Sequence, residues 1–120
     1  MEQTLKTWVE FKDLQTQEDS IIAQFRVNKE MPFFQGHFPN NPVLPAVTMV
    51  DISVFLLQQK WQPISWEKLI VKKSKFMSLI RPDQVVKIQA IALDGQSWQV
   101  QWMSPDSNDK LAVIQIEMTQ

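Results

Sequence analysis

The segment Val43 to Leu57 is apolar at almost every helical position: Val43, Leu44, Ala46, Val47, Met49, Val50, Ile52, Val54, Phe55, Leu56 and Leu57. A helix that is apolar on every side is buried on every side. The 120-residue chain shows no second helical pattern of similar length, so a sheet wrapped around this helix is what could bury it. The pattern predicts a helix from about Leu44 to Gln59. Pro45 falls in its first turn, where a missing N–H costs nothing. Gln58, Gln59 and Lys60 mark its emergence into water, and Pro63 ends the connection.

Strand patterns lie on both sides of this helix. Thr7 to Phe11 reads as a first short strand, and Leu14 to Asp19 as a polar turn. Ser20 to Val27 alternates as a half-buried strand does. Lys68 to Phe76, Gln84 to Leu93, Ser97 to Met103 and Lys110 to Met118 follow, separated by turns at Arg81-Pro82-Asp83, Asp94-Gly95 and Ser104 to Asp109. Asp-Gly between alternating runs is a strong hairpin signal. Trp98, Val100 and Trp102 share one face at two-residue spacing, the mark of residues packing a sheet. One buried helix with an antiparallel meander is an α+β arrangement. We read it as a curved sheet wrapped around one central helix, the hotdog architecture. Periodicity alone also permits other helix-on-sheet packings.

Size and composition narrow the functions. A chain of 120 residues is expected to form one domain, residues 1–120. A net charge of −1 argues against nucleic acid as the main partner. With no cysteine and one histidine there is neither a disulfide framework nor a thiolate or histidine-rich metal site. No metal and no organic cofactor are expected. The first residues, Met1 to Lys6, do not resemble a signal peptide, and no apolar run is long enough to span a bilayer. The expectation is a soluble, cytoplasmic protein.

The chemistry is concentrated in residues 33–51. This stretch holds the single histidine, His37, one of the two glycines, Gly36, and three of the seven prolines. Imidazole titrates nearest neutrality and suits proton transfer. Gly36 gives the backbone before it freedom, while Phe38 and Pro39 restrict and shield it. A histidine in such a loop can equally be hydrogen-bonded and inert. Asp51 sits inside the apolar helix, with Val47, Thr48, Val54 and Phe55 at helical-neighbour spacing and no cation among them. Burying a carboxylate is costly unless it is paired or protonated. Asp51 is therefore either a catalytic group or a structural one bonded to a backbone or hydroxyl partner. The N–H groups of Ala46 and Val47 stand at the helix start, where they could polarise a carbonyl. A base, an acid and an oxyanion site fit proton abstraction alpha to a carbonyl and loss of a β-hydroxyl as water.

Phe34-Gln35-Gly36-His37-Phe38-Pro39, then Pro42-Val43-Leu44-Pro45 and Val47, with an acid fourteen positions after the histidine, resembles the signature of the β-hydroxyacyl-acyl-carrier-protein dehydratases of the FabZ and FabA type. Lys75-Phe76 and Arg81-Pro82-Asp83 extend the similarity more weakly. The resemblance implies a hotdog fold and a homodimer, or higher homo-oligomer, in which the histidine of one subunit faces the helix acid of the other. His37 would take the α-proton of a (3R)-hydroxyacyl thioester, and Asp51 of the partner subunit would protonate the departing hydroxyl or orient the water. Ala46 N–H would hold the thioester carbonyl, with Gly36, Phe38, Pro45, Val47 and Phe55 lining the substrate. The implied partner is an acyl carrier protein. Lys72, Lys73, Lys75 and Arg81 form a local basic cluster that could dock it, or could simply protect a sheet edge.

Three departures from that pattern stand out. Ala46 replaces the usual glycine, Phe55 replaces a glutamine one turn after the acid, and the chain is short before the motif. They imply a divergent member serving a specialised acyl or aryl-polyene pathway. Two other functions remain open at this point: a hotdog acyl thioesterase, and a catalytically silent acyl-carrier-binding subunit.

Overall fold

The computed structural model describes residues 2–34, 42–61, 64–94 and 96–119. Helix α1 spans Glu2–Trp8, and strands β1 and β2 span Lys12–Gln17 and Ser20–Arg26. After a 3-10 turn at Pro32–Phe34 comes α2, Ala46–Gln58. A second 3-10 turn at Trp66–Lys68 leads into β3 (Leu69–Phe76), β4 (Val85–Asp94), β5 (Ser97–Met103) and β6 (Lys110–Met118). The strands form one antiparallel sheet in the order β1-β2-β4-β5-β6-β3, with α2 packed on its inner face. The α+β arrangement of a sheet around one main helix matches the sequence expectation.

The inner face follows from two-residue alternation. Ile21, Ala23 and Phe25 of β2 pair with Ala90, Ile88 and Val86 of β4, and Val100 of β5 pairs with Ala90 and Ile114. All of these side chains are buried. Each buried isoleucine or phenylalanine contributes about 1.5–3 kcal/mol relative to an exposed one, enough to fix the register. One polar chain crosses this core. Trp102 Nε1–H donates to Ser53 Oγ at 2.9 Å, and Ser53 Oγ–H donates to the Met49 carbonyl at 2.8 Å. The link ties β5 to α2 with every polar atom in it satisfied. At the β4–β5 hairpin, Asp94 accepts from Gln96 N–H and Ser97 Oγ–H, which hold its carboxyl below the ordinary carboxylate value.

Three expectations are corrected. Residues from Thr7 to Phe11 do not form a strand: Thr7 and Trp8 close α1. Leu5, Trp8 and Val9 pack against the core, and their spacing is that of one helix face. Leu14 to Asp19 is not simply a turn, because its first residues belong to β1. That strand lies at the sheet edge with every residue exposed, so it carries no alternation to read. Finally, α2 is not covered on every side. Thr48, Met49 and Ile52 to Leu57 are buried, but Val47 is 69% exposed and Val50 and Asp51 are half-buried. A single sheet leaves the first two turns of the helix open along one side.

Candidate functional site

The site begins at the start of α2. Leu44 N–H donates to the Ile80 carbonyl at 2.7 Å, pinning the approach to the helix onto the β3–β4 connection. Pro45 follows in an extended conformation (φ −64°, ψ 147°), half-buried, and occupies the N-cap. Met49 N–H makes the bond back to the Pro45 carbonyl at 3.0 Å. Ala46, Val47 and Thr48 precede it, so their N–H groups have no acceptor within the helix and carry partial positive charge. Ala46 and Val47 are exposed, which leaves this end of the helix accessible.

Asp51 lies five residues beyond Ala46, about 7.5 Å up the axis at helical rise. Among the described residues its carboxylate makes no hydrogen bond or ion pair. Burial, the main influence on it, pushes the carboxyl above its ordinary value. Of the two readings that the sequence leaves open, a carboxylate bonded to a structural partner is not what the described residues show.

Beside Asp51 is a cavity of about 190 Å³. Val50 and Val54 line it from α2, Leu69, Ile70 and Val71 from β3, and Ile116 from β6. Trp66, on the 3-10 turn before β3, completes the wall. Val54 is one of the helical neighbours of Asp51 already evident from spacing, and Val50 is next to it in sequence. Nothing local in the sequence points to Trp66, because the chain reversal after α2 is what brings it there.

The other candidates separate. Gly36, His37 and Phe38 lie outside the described residues. Phe55 is brought to the core and not to the Asp51 cavity: its ring stands 5.6 Å from Phe11, which meets Phe25 at 6.5 Å. Lys72, Lys73 and Lys75 are exposed on β3. A bulge between Val71 and Lys73 shifts the register there. Val71 pairs with the buried Ile116, whereas Lys73 and Lys75 pair with the outward Gln115 and Val113 and line a shallow groove on the outer face. Lys72 approaches Glu117 at 4.0 Å, an exposed pair. Arg81 stands apart, in the turn before β4. Among the described residues, no group of three or more histidine, cysteine or acidic side chains is placed to hold a metal ion.

A six-stranded antiparallel sheet wrapped on one apolar helix, with an acid on that helix, defines a hotdog protein, and known structures agree. The chain superimposes on the ApeI:P dehydratase heterocomplex of Xenorhabdus doucetiae with a TM-score of 0.72 at 18% identity, covering 93% of this chain and 98% of that one. Thioesterase superfamily member 2 of Mus musculus gives a TM-score of 0.65 at 13% identity, covering 99% and 86%. At such identities the likeness establishes the fold alone.

Sequence carries the assignment further. Residues 13–115 match the ApeI-like family, the ApeI dehydratases, and the chain belongs to that family. The 3-hydroxyacyl-[acyl-carrier-protein] dehydratase FabZ of Lactobacillus helveticus (strain DPC 4571) is 33% identical over 76 residues, 58% of this chain and 51% of that protein. Its counterpart in Chlamydia pneumoniae is 35% identical over 80 residues, 59% and 52%. The chain spans about half the length of the curated relatives it matches.

Proposed function

We propose that this chain is a hydro-lyase that removes water from a (3R)-hydroxyacyl-[acyl-carrier-protein] thioester to give the trans-2-enoyl thioester. The observation that carries the reading is Asp51: a carboxyl raised by burial, with no hydrogen-bond or ion-pair partner among the described residues, on the central helix beside a cavity whose other side chains are hydrocarbon or indole. Membership of a dehydratase family and the Gly36-His37-Phe38-Pro39 motif support His37 as the base.

In this mechanism neutral His37 takes the α-proton, and the C–H electron pair moves into the thioester as enolate-like charge. The N–H groups that open α2 stabilise that charge. As the double bond forms, the C3–O bond breaks, and Asp51 protonates the leaving hydroxyl, which departs as water. Burial favours the neutral carboxyl, the form an acid needs.

A homodimer with shared sites belongs to the same reading, as does a cytoplasmic location. Support for the dimer comes from the open edge of β3 and the connection after it, where Ile70, Val71, Phe76, Met77 and Leu79 are exposed. An apolar edge of this kind invites pairing with another chain. Among the described residues no helix is long and apolar enough to cross a membrane.

The test is near-ultraviolet absorbance after mixing the protein with a (3R)-3-hydroxyacyl-carrier thioester, beside His37→Ala and Asp51→Asn. Wild type should give an enoyl signal that rises with pH as His37 loses its proton, and both variants should lose most of it. Release of free thiol without an enoyl signal would instead establish a thioesterase. Carrier binding with no turnover at any acyl length would establish a silent subunit.

A further inference from the structure

The cavity beside Asp51 has a direction. Val50 and Asp51 stand at one end, and Val54 lies a turn further toward the C-terminus of α2. The chain reverses after Gln58, whose side-chain amide donates to the Ile64 carbonyl at 3.4 Å. Trp66 and Leu69 therefore reach the cavity at the C-terminal end of the helix, whereas Val71 and its ladder partner Ile116 stand further back along β3. Apart from the Asp51 carboxylate, the side chains of this wall are hydrocarbon or indole.

We propose that Trp66 closes the far end of this cavity and sets the length of acyl chain that the protein accepts. The proposal rests on the dehydratase reading and gives its substrate a class. The acid must reach the hydroxyl on C3, so the carbons beyond C3 have the adjoining hydrocarbon and indole side chains to pack against. An apolar cavity of about 150 Å³ accepts a benzene molecule. At about 190 Å³ this one takes a segment of about six carbons, hence an acyl group of about nine carbons in all. Trp66 is the largest side chain of the wall and packs against the core. Its turn is held at the other end, where the Lys68 carbonyl accepts from Thr119 Oγ1–H at 2.8 Å and Lys68 N–H donates to the Ser65 carbonyl at 3.0 Å. The backbone bearing the indole is thereby fastened to the end of β6.

The experiment measures kcat/KM over (3R)-3-hydroxyacyl-pantetheine thioesters of increasing length for wild type, Trp66→Ala and Trp66→Leu. Each methylene buried in an apolar site is worth about fourfold in affinity. Wild-type kcat/KM should rise with length to about nine carbons and then fall about tenfold or more. In Trp66→Ala the rise should continue for at least two further carbons. Trp66→Leu keeps an apolar filler if the alanine variant fails to fold, and should show a smaller extension. A profile unchanged by either substitution in an active protein overturns the proposal and leaves the dehydratase reading standing. Absence of turnover at every length overturns that reading instead. Binding of inert acyl-pantetheine amides, followed by calorimetry, judges the cavity without turnover. Trp66→Ala should bind a twelve-carbon amide about tenfold more tightly than wild type, and equal binding sinks the proposal whatever the activity.

Discussion

Replacing Ser53 with alanine removes one oxygen and isolates one buried donor. Trp102 is fully buried, and its Nε1–H has Ser53 Oγ as its acceptor at 2.9 Å. The vacated space is one atom across, too small to admit a water that would take the bond over. The Met49 carbonyl, relieved of the serine hydroxyl, keeps its place in the helical ladder and contributes little to the loss. What remains is the desolvation penalty of an unsatisfied indole N–H, about 1–3 kcal/mol. For a chain of this size that lowers Tm by about 4–12 °C. Urea unfolding followed by tryptophan fluorescence should show the midpoint falling with the slope unchanged. The double variant Ser53→Ala/Trp102→Phe no longer carries the stranded donor, so a double-mutant cycle should return a coupling of about 1 kcal/mol or more. A Ser53→Ala protein within about 0.3 kcal/mol of wild type, with no coupling, would refute the reasoning.

Asp51→Asn should raise stability at pH 7 while abolishing dehydration. Because burial raises the folded-state carboxyl above its ordinary value of 3.8, the folded chain holds a proton that the unfolded chain has released. Wild-type stability therefore falls as pH rises through that window, and the asparagine variant escapes the loss. Paired melting curves across pH should converge below the ordinary value, and an asparagine variant less stable at pH 7 would mean that the carboxylate has a stabilising partner after all. Lys72→Glu/Lys73→Glu should raise KM for carrier-bound substrate and spare a pantetheine thioester, with equal effects on both excluding docking there. Stability should change by less than about 1 kcal/mol, because the Lys72–Glu117 pair is exposed.

Legibility in the sequence tracked burial. Trp98, Val100 and Trp102 face the core on β5 as their spacing implies, because a side chain with a fixed destination leaves a period of two. On β1 nothing is buried, so nothing recorded the strand; its bulge between Lys12 and Gln15 and the positive φ of Asp13 break the regularity further. Helix α1 and the residue after it offer only Leu5, Trp8 and Val9 as a core-facing stripe, and a Val9-Glu10-Phe11 alternation competes with it. Asp51 stood out as a candidate for a different reason. A carboxylate among apolar residues contradicts the pattern around it, and such contradictions mark functional positions. Phe55 shows the limit of that logic. It occupies a position where a polar contact is expected by family resemblance, yet its own apolar character takes it to Phe11 and the core.

The uncovered side of α2 bears on the acid itself. Val50 and Asp51, both half-buried, share a cavity with Val71 of β3 and its ladder partner Ile116. In the proposed dimer a second surface would complete this side of the helix, with the β3 edge as the place where a second sheet can join. Whatever covers that side removes water from Asp51 as well. The same burial that raises its carboxyl in the single chain then acts more strongly, and the neutral form extends to higher pH. In the proposed dimer Asp51 would thus be a better-protonated acid once the site is assembled. A carboxylate costly to bury in an isolated chain is useful in the proposed dimer for the same reason.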